Sequence, residues 1–400
     1  MEQRHPHKRQ KTLLVITYNG AYTAKAGQST ESSKIIPNCM MKSKSERRRP
    51  FTGNQIEECR DMAGLYFMLP FQKGYLINWD VQKTVWDHIF SKDCCNVNFG
   101  ETSMIITEPP FNFASIQEAM AEIFFEEYDV ASLLRINPST LANFHYRHEN
   151  PTAKCCIIVD VGYSFCYISP YVNDMRIKAG IRRIDVGGKL LTNHLKEILS
   201  YRQLNVMDET YVVNQVKEDS CFVSQDFYAD METAKRGFKN NTIVKDYVLP
   251  DFTTLKRGML VDVGTETDQQ VLRMNNERFS IPEIMFHPCD VGIKQMGISE
   301  AIMDCLKACA EETWPHLLAN IILTGGSVLF PGFKERIETD IRSLAPDEYE
   351  INVHLPDDPI TFAWEGGKLL AKDSGYSSLI VKREEYEEEG HNVCYDKFDI

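Results

Sequence analysis

Four hundred residues exceed what one ordinary core organises, and at roughly 150 residues per domain they divide into two or three. With 43% hydrophobic and 25% charged residues the chain has the balance of a soluble globular protein, which excludes a disordered polymer, a collagen and a coiled-coil rod. Lys+Arg 44 against Asp+Glu 57 leave a net charge of −13, so the surface as a whole does not attract nucleic acid.

Along the chain, a basic cluster (Arg4, Lys8, Arg9, Lys11) precedes the apolar run Leu13-Leu14-Val15-Ile16. That run is shorter than the ~7–15 residues of a secretory signal core, so export is not expected. Closing on Asn19-Gly20, it reads as a buried strand entering a tight turn, with further strand signals from Ala21 to Gly27 and a stop at Ile35-Ile36-Pro37. A second basic cluster follows at Lys42, Lys44, Arg47, Arg48 and Arg49. Phe113 to Tyr128 sets Ile116, Met120, Ile123 and Phe124 at helical spacing behind Asn112 as a cap. The polar, proline-containing stretch 141–154 reads as a crossing into a second half.

That half opens as the first did. Cys155-Cys156-Ile157-Ile158-Val159 closes on Asp160-Val161-Gly162, and strand signals follow at Tyr167–Pro170 and Ile181–Asp185. Leu190–Leu199 and Glu300–Cys309 read as amphipathic helices, with Cys305 and Cys309 as core contacts. Leu355-Pro356-Asp357-Asp358-Pro359 reads as a second crossing that returns the chain to the first half. The expectation is an α/β protein of two duplicated halves around a cleft: residues 1–150 completed by 355–400, and residues 151–354. The chain then runs acidic through Glu384, Glu385, Glu387, Glu388 and Glu389. Each charged cluster has a bland reading, a solvated tail or loop, and a functional one, a nuclear-import signal or a contact for an acidic partner. Twelve cysteines in strand-like or helical contexts, with no CxxC pair, read as reduced thiols of a cytosolic or nuclear protein. No apolar run approaches the ~18–20 residues of a membrane span.

Glycine turns carry the chemistry. The first, Tyr18 to Gly27, offers backbone N–H groups to an anion and Lys25 to a terminal phosphate. The second adds Asp160, a carboxylate at a strand end that can hold Mg²⁺ through water. Ile321 to Ser327 is a buried strand ending in Gly325-Gly326, where a flat base or ribose can approach the backbone. Asp185 to Lys189, with Gly187-Gly188, and Trp364 to Gly367 complete the set. Any one pair is ordinarily a structural turn; five in these contexts are not. The histidines form no metal-ligand spacing, Ser327 sits in no G-x-S-x-G elbow, and Trp79, Trp86 and Trp364 read as packing residues.

In this order, YNGAYTAKAG, IIVDVGYSF, RRIDVGGKLLT, QVKEDSCFV, NIILTGGSVLFPGF, FAWEGGKLLA and VKREEYEEEG resemble the actin family from end to end. Leu69 to Leu76, Ser200 to Arg202, Val206 to Glu209 and Asp246 to Phe252 resemble its nuclear actin-related branch. The resemblance implies an actin-like ATPase fold, two α/β domains flanking a nucleotide cleft, with a small insert at about residues 38–74. It implies ATP or ADP with Mg²⁺ as cofactor. The family's contacts fall on Asn19, Gly20 and Lys25 in the first hairpin and on Asp160 and Gly162 in the second, Asp160 being the metal-side carboxylate. Lys217 and Glu218 fall on the pair facing ribose and base, and Gly188, Gly325 and Gly326 on the adenosine-side glycines.

The departures concern hydrolysis and assembly. Conventional actin opens its first hairpin with Asp where this chain has Tyr18, and its small Ser and Gly become Ala21 and Tyr22. The second hairpin's Asp-Gly becomes Tyr163-Ser164, and a later His becomes Tyr167. The Gln that orients the attacking water falls on Pro138 or Asn137, so no catalytic residue is assigned and slow or absent ATP turnover is expected. The basic Lys42–Arg49 loop replaces an apolar subunit-contact loop and Asp290 an aromatic plug position, so filaments are not expected. The resemblance thus implies a nuclear scaffold subunit of an SRCAP-type ATP-dependent chromatin-remodelling complex that exchanges a variant core histone into nucleosomes. Its implied partners are the motor subunit, a zinc-HIT subunit, the histones and heterochromatin protein 1. Two alternatives stand beside it: an ATP-hydrolysing cytoskeletal actin-like protein, and a small-molecule kinase of the wider superfamily, which needs a catalytic Asp in a substrate pocket and lacks support from the end-to-end resemblance.

Overall fold

The computed structural model describes residues 13–44, 49–59, 62 and 64–398. The N-terminal basic cluster and Arg47 and Arg48 lie outside the described residues.

The run at Leu13 becomes the strand Leu13–Asn19, paired antiparallel with Thr23–Gln28 and parallel with Thr102–Thr107. A third parallel strand, Ser132–Ile136, follows on the far side, and the outer edges are Lys34–Pro37 and Val381–Lys382. The second half repeats this plan: Cys155–Val161 pairs antiparallel with Cys166–Val172 and parallel with Ile321–Thr324, which pairs parallel with Val353–His354. The expected duplication of α/β halves is therefore present in the strand order itself. Parallel neighbours require long crossovers, and helices supply them. With helices on the faces, inner strands lose their polar alternation, and all of Thr102–Thr107 is buried.

Strand alternation also knits the halves. Ile157 and Val159 face one core, whereas Cys156 and Ile158, with Tyr171 and Ile322, turn to the core of the first half. All twelve cysteines are free thiols, and Cys309 Sγ donates to the Cys305 carbonyl at 3.5 Å within the core.

The amphipathic segments are helices at Ala114–Glu122, Gly188–Arg202 and Ile298–Lys307. The cap position of the first is Phe113, not Asn112: the Asn112 amide donates to Glu108 Oε2 at 2.7 Å. It continues as one wide π turn, Ile123–Glu127, which swings both Phe124 and Phe125 inward, onto Trp86 (5.1 Å) and Tyr386 (4.4 Å).

Two expectations are corrected. The crossing at 141–154 is mostly the helix Pro138–Glu149; its buried residues include polar Ser139 and Asn143 beside Leu141, Ala142 and Tyr146, so its sequence looks polar, and its proline sits in the first turn where no N–H is missed. The glycine pair Gly366-Gly367 is no phosphate turn. It lies in the helix Phe362–Leu370, where a Cβ on Gly366 would overlap the Leu141 carbonyl, so the two helices cross in backbone contact. Trp364 fastens that helix to the sheet, its indole donating to the Ile16 carbonyl at 3.0 Å.

Between Lys34–Pro37 and the helix Trp79–Phe90 lies a small sheet, Met40–Lys42, Pro50–Thr52 and Tyr66–Met68, around its own core of Met41, Phe51, Ile56 and Leu65. A second small sheet, Lys245–Val248 with Met259–Val261 and Val271–Met274, had no sequence expectation because its strands are three or four residues long. The acidic run forms the exposed helix Arg383–Glu389, where Glu385 accepts from Lys397 at 2.9 Å.

Candidate functional site

Both hairpin turns lie at the carboxyl ends of inner parallel strands, where open α/β sheets leave a crevice. Asn19 is tied there by its backbone N–H to Thr107 Oγ1 at 2.9 Å, and Asp160 pairs in register with Thr324. Between the turns is a cleft of about 450 Å³. Asn19, Gly20 and Lys25 line it from one half; Asp160, Gly162, Gly188, Lys217, Glu218, Gly325 and Gly326 line it from the other. Every site residue expected from the sequence thus meets in one place, from positions as far apart as 19 and 326.

The second half supplies a wall open to a flat ligand. Gly325 holds φ +92°, and a Cβ there would press on the Val161 carbonyl at 2.5 Å; one on Gly326 would meet nothing within 4 Å. Lys217 is buried and spends its ammonium on the Gly188 carbonyl (3.2 Å), Thr192 Oγ1 (2.9 Å) and Asn214 Oδ1 (2.9 Å). Burial pushes its pKa down to about 8. Asn214, which sequence reading missed, donates to Glu218 Oε1 at 2.7 Å and to the Tyr22 hydroxyl at 3.0 Å.

The charged end is built differently. Burial pushes the Asp160 carboxyl up to about 6, against the lowering effects of the Lys25 charge and a hydrogen bond from Tyr18. Burial likewise pushes Lys25 down to about 8. The Lys25 ammonium lies 4.7 Å from the centre of the Tyr18 ring and donates to the Thr23 carbonyl at 3.4 Å. Tyr22, from the first turn, and Tyr163, from the second, stack across the cleft with centroids 4.7 Å apart and planes at 27°. The cleft therefore fits the nucleoside end of ATP or ADP. It does not fit the phosphate–Mg²⁺ end, where a phenol holds the carboxylate and two rings fill the gap.

Neither residue at the position where the resemblance places the water-orienting Gln presents a side-chain amide to the cleft. Asn137 is fully buried, its Nδ2 donating to the Glu108 carbonyl at 3.0 Å and its Oδ1 unpartnered, while Pro138 lines the cleft. Proline has no group with which to orient a water.

The rim joins the halves at several points. Arg183 donates to the Tyr75 hydroxyl at 2.6 Å and the Lys73 carbonyl at 3.2 Å, and lies over the rings of Tyr75 and Phe165 at 5.0 and 4.8 Å. Gly74, at φ +77°, is the only residue type that fits there: a Cβ would enter the Phe165 ring. The Tyr167 hydroxyl donates to the Pro110 carbonyl at 3.1 Å, and the Gly64 N–H to Glu209 Oε2 at 2.8 Å. Of the second basic cluster, Lys44 pairs with Asp208 at 3.3 Å and Arg49 with Glu58.

The sequence model of the family described as Actin matches residues 9–399. Actin-related protein 6 of Drosophila melanogaster is 50% identical over 387 residues, covering 94% of this chain and 97% of that protein. Proteins of the same name from Neurospora crassa (36% over 422 residues, 97% of this chain and 94% of the relative) and Arabidopsis thaliana (35% over 420 residues, 96% and 99%) are similar at full length. The repeated sheets, the shared cleft and these end-to-end matches agree: the chain belongs to the actin family.

Proposed function

We propose that this chain is a nuclear, non-catalytic structural subunit of an SRCAP-type ATP-dependent chromatin-remodelling complex, which exchanges a variant core histone into nucleosomes. Its halves, residues 1–150 with 355–400 and residues 151–354, act as two jaws of a rigid clamp. The motor subunit hydrolyses ATP; this chain presents surfaces to that motor, to a zinc-HIT subunit, to histones and to heterochromatin protein 1. The burial of Asn137 away from the cleft carries the non-catalytic part of the reading. A lost water-positioning group costs typically ~10²–10⁴-fold in rate. Full-length similarity to proteins named actin-related protein 6 supports the rest.

Purification of the tagged chain from nuclear extract, with mass spectrometry of the associated chains, tests the assembly. Recovery of a remodelling motor is expected; recovery alone or only with actin filaments overturns it. Single-turnover phosphate release tests the chemistry: wild type and Asp160→Ala are expected to release phosphate equally slowly. The cytoskeletal alternative instead requires rapid, Asp160-dependent release and concentration-dependent assembly.

A further inference from the structure

The cleft carries an inference of its own, independent of which complex the chain joins. A nucleotide's polyphosphate brings three or four negative charges and needs free N–H groups and cations turned towards it. Between the two glycine turns this chain places aromatic rings instead. The Tyr22–Tyr163 centroid separation of 4.7 Å leaves no gap for a phosphate group between the rings. Their faces carry negative π density, which repels an anion. Tyr22 is held in place at its far end, where its hydroxyl accepts from Asn214 at 3.0 Å. The cations are committed as well: Lys25 lies over the Tyr18 ring, and Lys217 meets three acceptors.

We propose that Tyr22 and Tyr163 are specificity-determining residues that shut this cleft against the polyphosphate tail, joining the two halves through stacked rings in the space the phosphates would take. The clamp then closes on its own side chains and needs no nucleotide to brace it.

Calorimetric titration of the full chain with Mg·ATP and Mg·ADP tests this, comparing wild type with the double variant Tyr22→Gly/Tyr163→Ser. The double variant is expected to bind Mg·ATP at least roughly tenfold more tightly than wild type. A folded double variant that binds no better overturns the proposal. So does wild-type binding of Mg·ATP at micromolar Kd, a measurement that needs no variant. Should the double variant lose its cooperative thermal transition, Tyr163→Ser alone, which leaves Tyr22 anchored on Asn214, serves in its place with the same expected direction.

Discussion

Asp160 and Lys25 face each other in a buried cleft where neither enjoys its charge. The Asp160 carboxyl, pushed up to about 6 by burial, keeps its proton in the folded chain at pH values where the unfolded chain has lost it. Its contribution to stability is therefore fully present below the ordinary carboxylate value and is lost as pH rises through about 6. Two units correspond to roughly 3 kcal/mol, shared with the partner charge. Wild type should lose stability between pH 4 and pH 7 relative to Asp160→Asn, read as the difference in urea midpoints; parallel pH profiles would remove the claim. Lys25 and Lys217, both pushed down to about 8, act on the alkaline side. Their contribution is present above the ordinary lysine value and is lost as pH falls through about 8. Lys25→Met should flatten the profile between pH 8 and pH 10.

Elements meet most closely where glycine removes a side chain. The helices Pro138–Glu149 and Phe362–Leu370 cross at Gly366, where even one methyl group would overlap the Leu141 carbonyl. Gly366→Ala should cost about 1–3 kcal/mol in denaturant unfolding, because neither helix can retreat without opening the first core. Gly100→Ala is the control: nothing lies within 4 Å of the added Cβ, so a change within about 0.5 kcal/mol is expected. Equal effects at both sites would refute the crossing argument. At this scale much was legible. Strands and glycine turns announce themselves in runs of a few residues, as Leu13–Ile16 and Asp160–Gly162 do. The helix at Pro138 was not legible, because polar Ser139 and Asn143 stand among its buried residues and blur the apolar periodicity. The glycine pair at Gly366 was misread for a related reason: a helix crossing and a phosphate turn both call for a missing side chain.

Across the whole molecule, the two halves are joined through the shared strand faces and the rim. The rim contact that spends most on one side chain is Arg183, with two hydrogen bonds to the Phe71–Leu76 hairpin region and two ring faces. Arg183→Ala should release that hairpin while leaving both cores intact. Amide exchange at residues 73–76 is expected to rise at least roughly tenfold, with the strand Thr102–Thr107 unchanged. Uniform acceleration through both halves would mean that Arg183 stabilises the fold as a whole and not the join.

The sequence by itself determined the α/β class, the doubled opening, the glycine turns and the residue types of the cleft. All of these follow from local run length, periodicity and backbone freedom. Only the tertiary structure decided what those residues touch. It stacked Tyr22 on Tyr163, set Lys25 over Tyr18, turned Asn137 into the core and spent Lys217 on its neighbours. The Tyr22–Tyr163 stack joins residues far apart in the chain, and the other contacts cross from one element to another, so all depend on how strands and helices pack, which no periodicity of the sequence encodes.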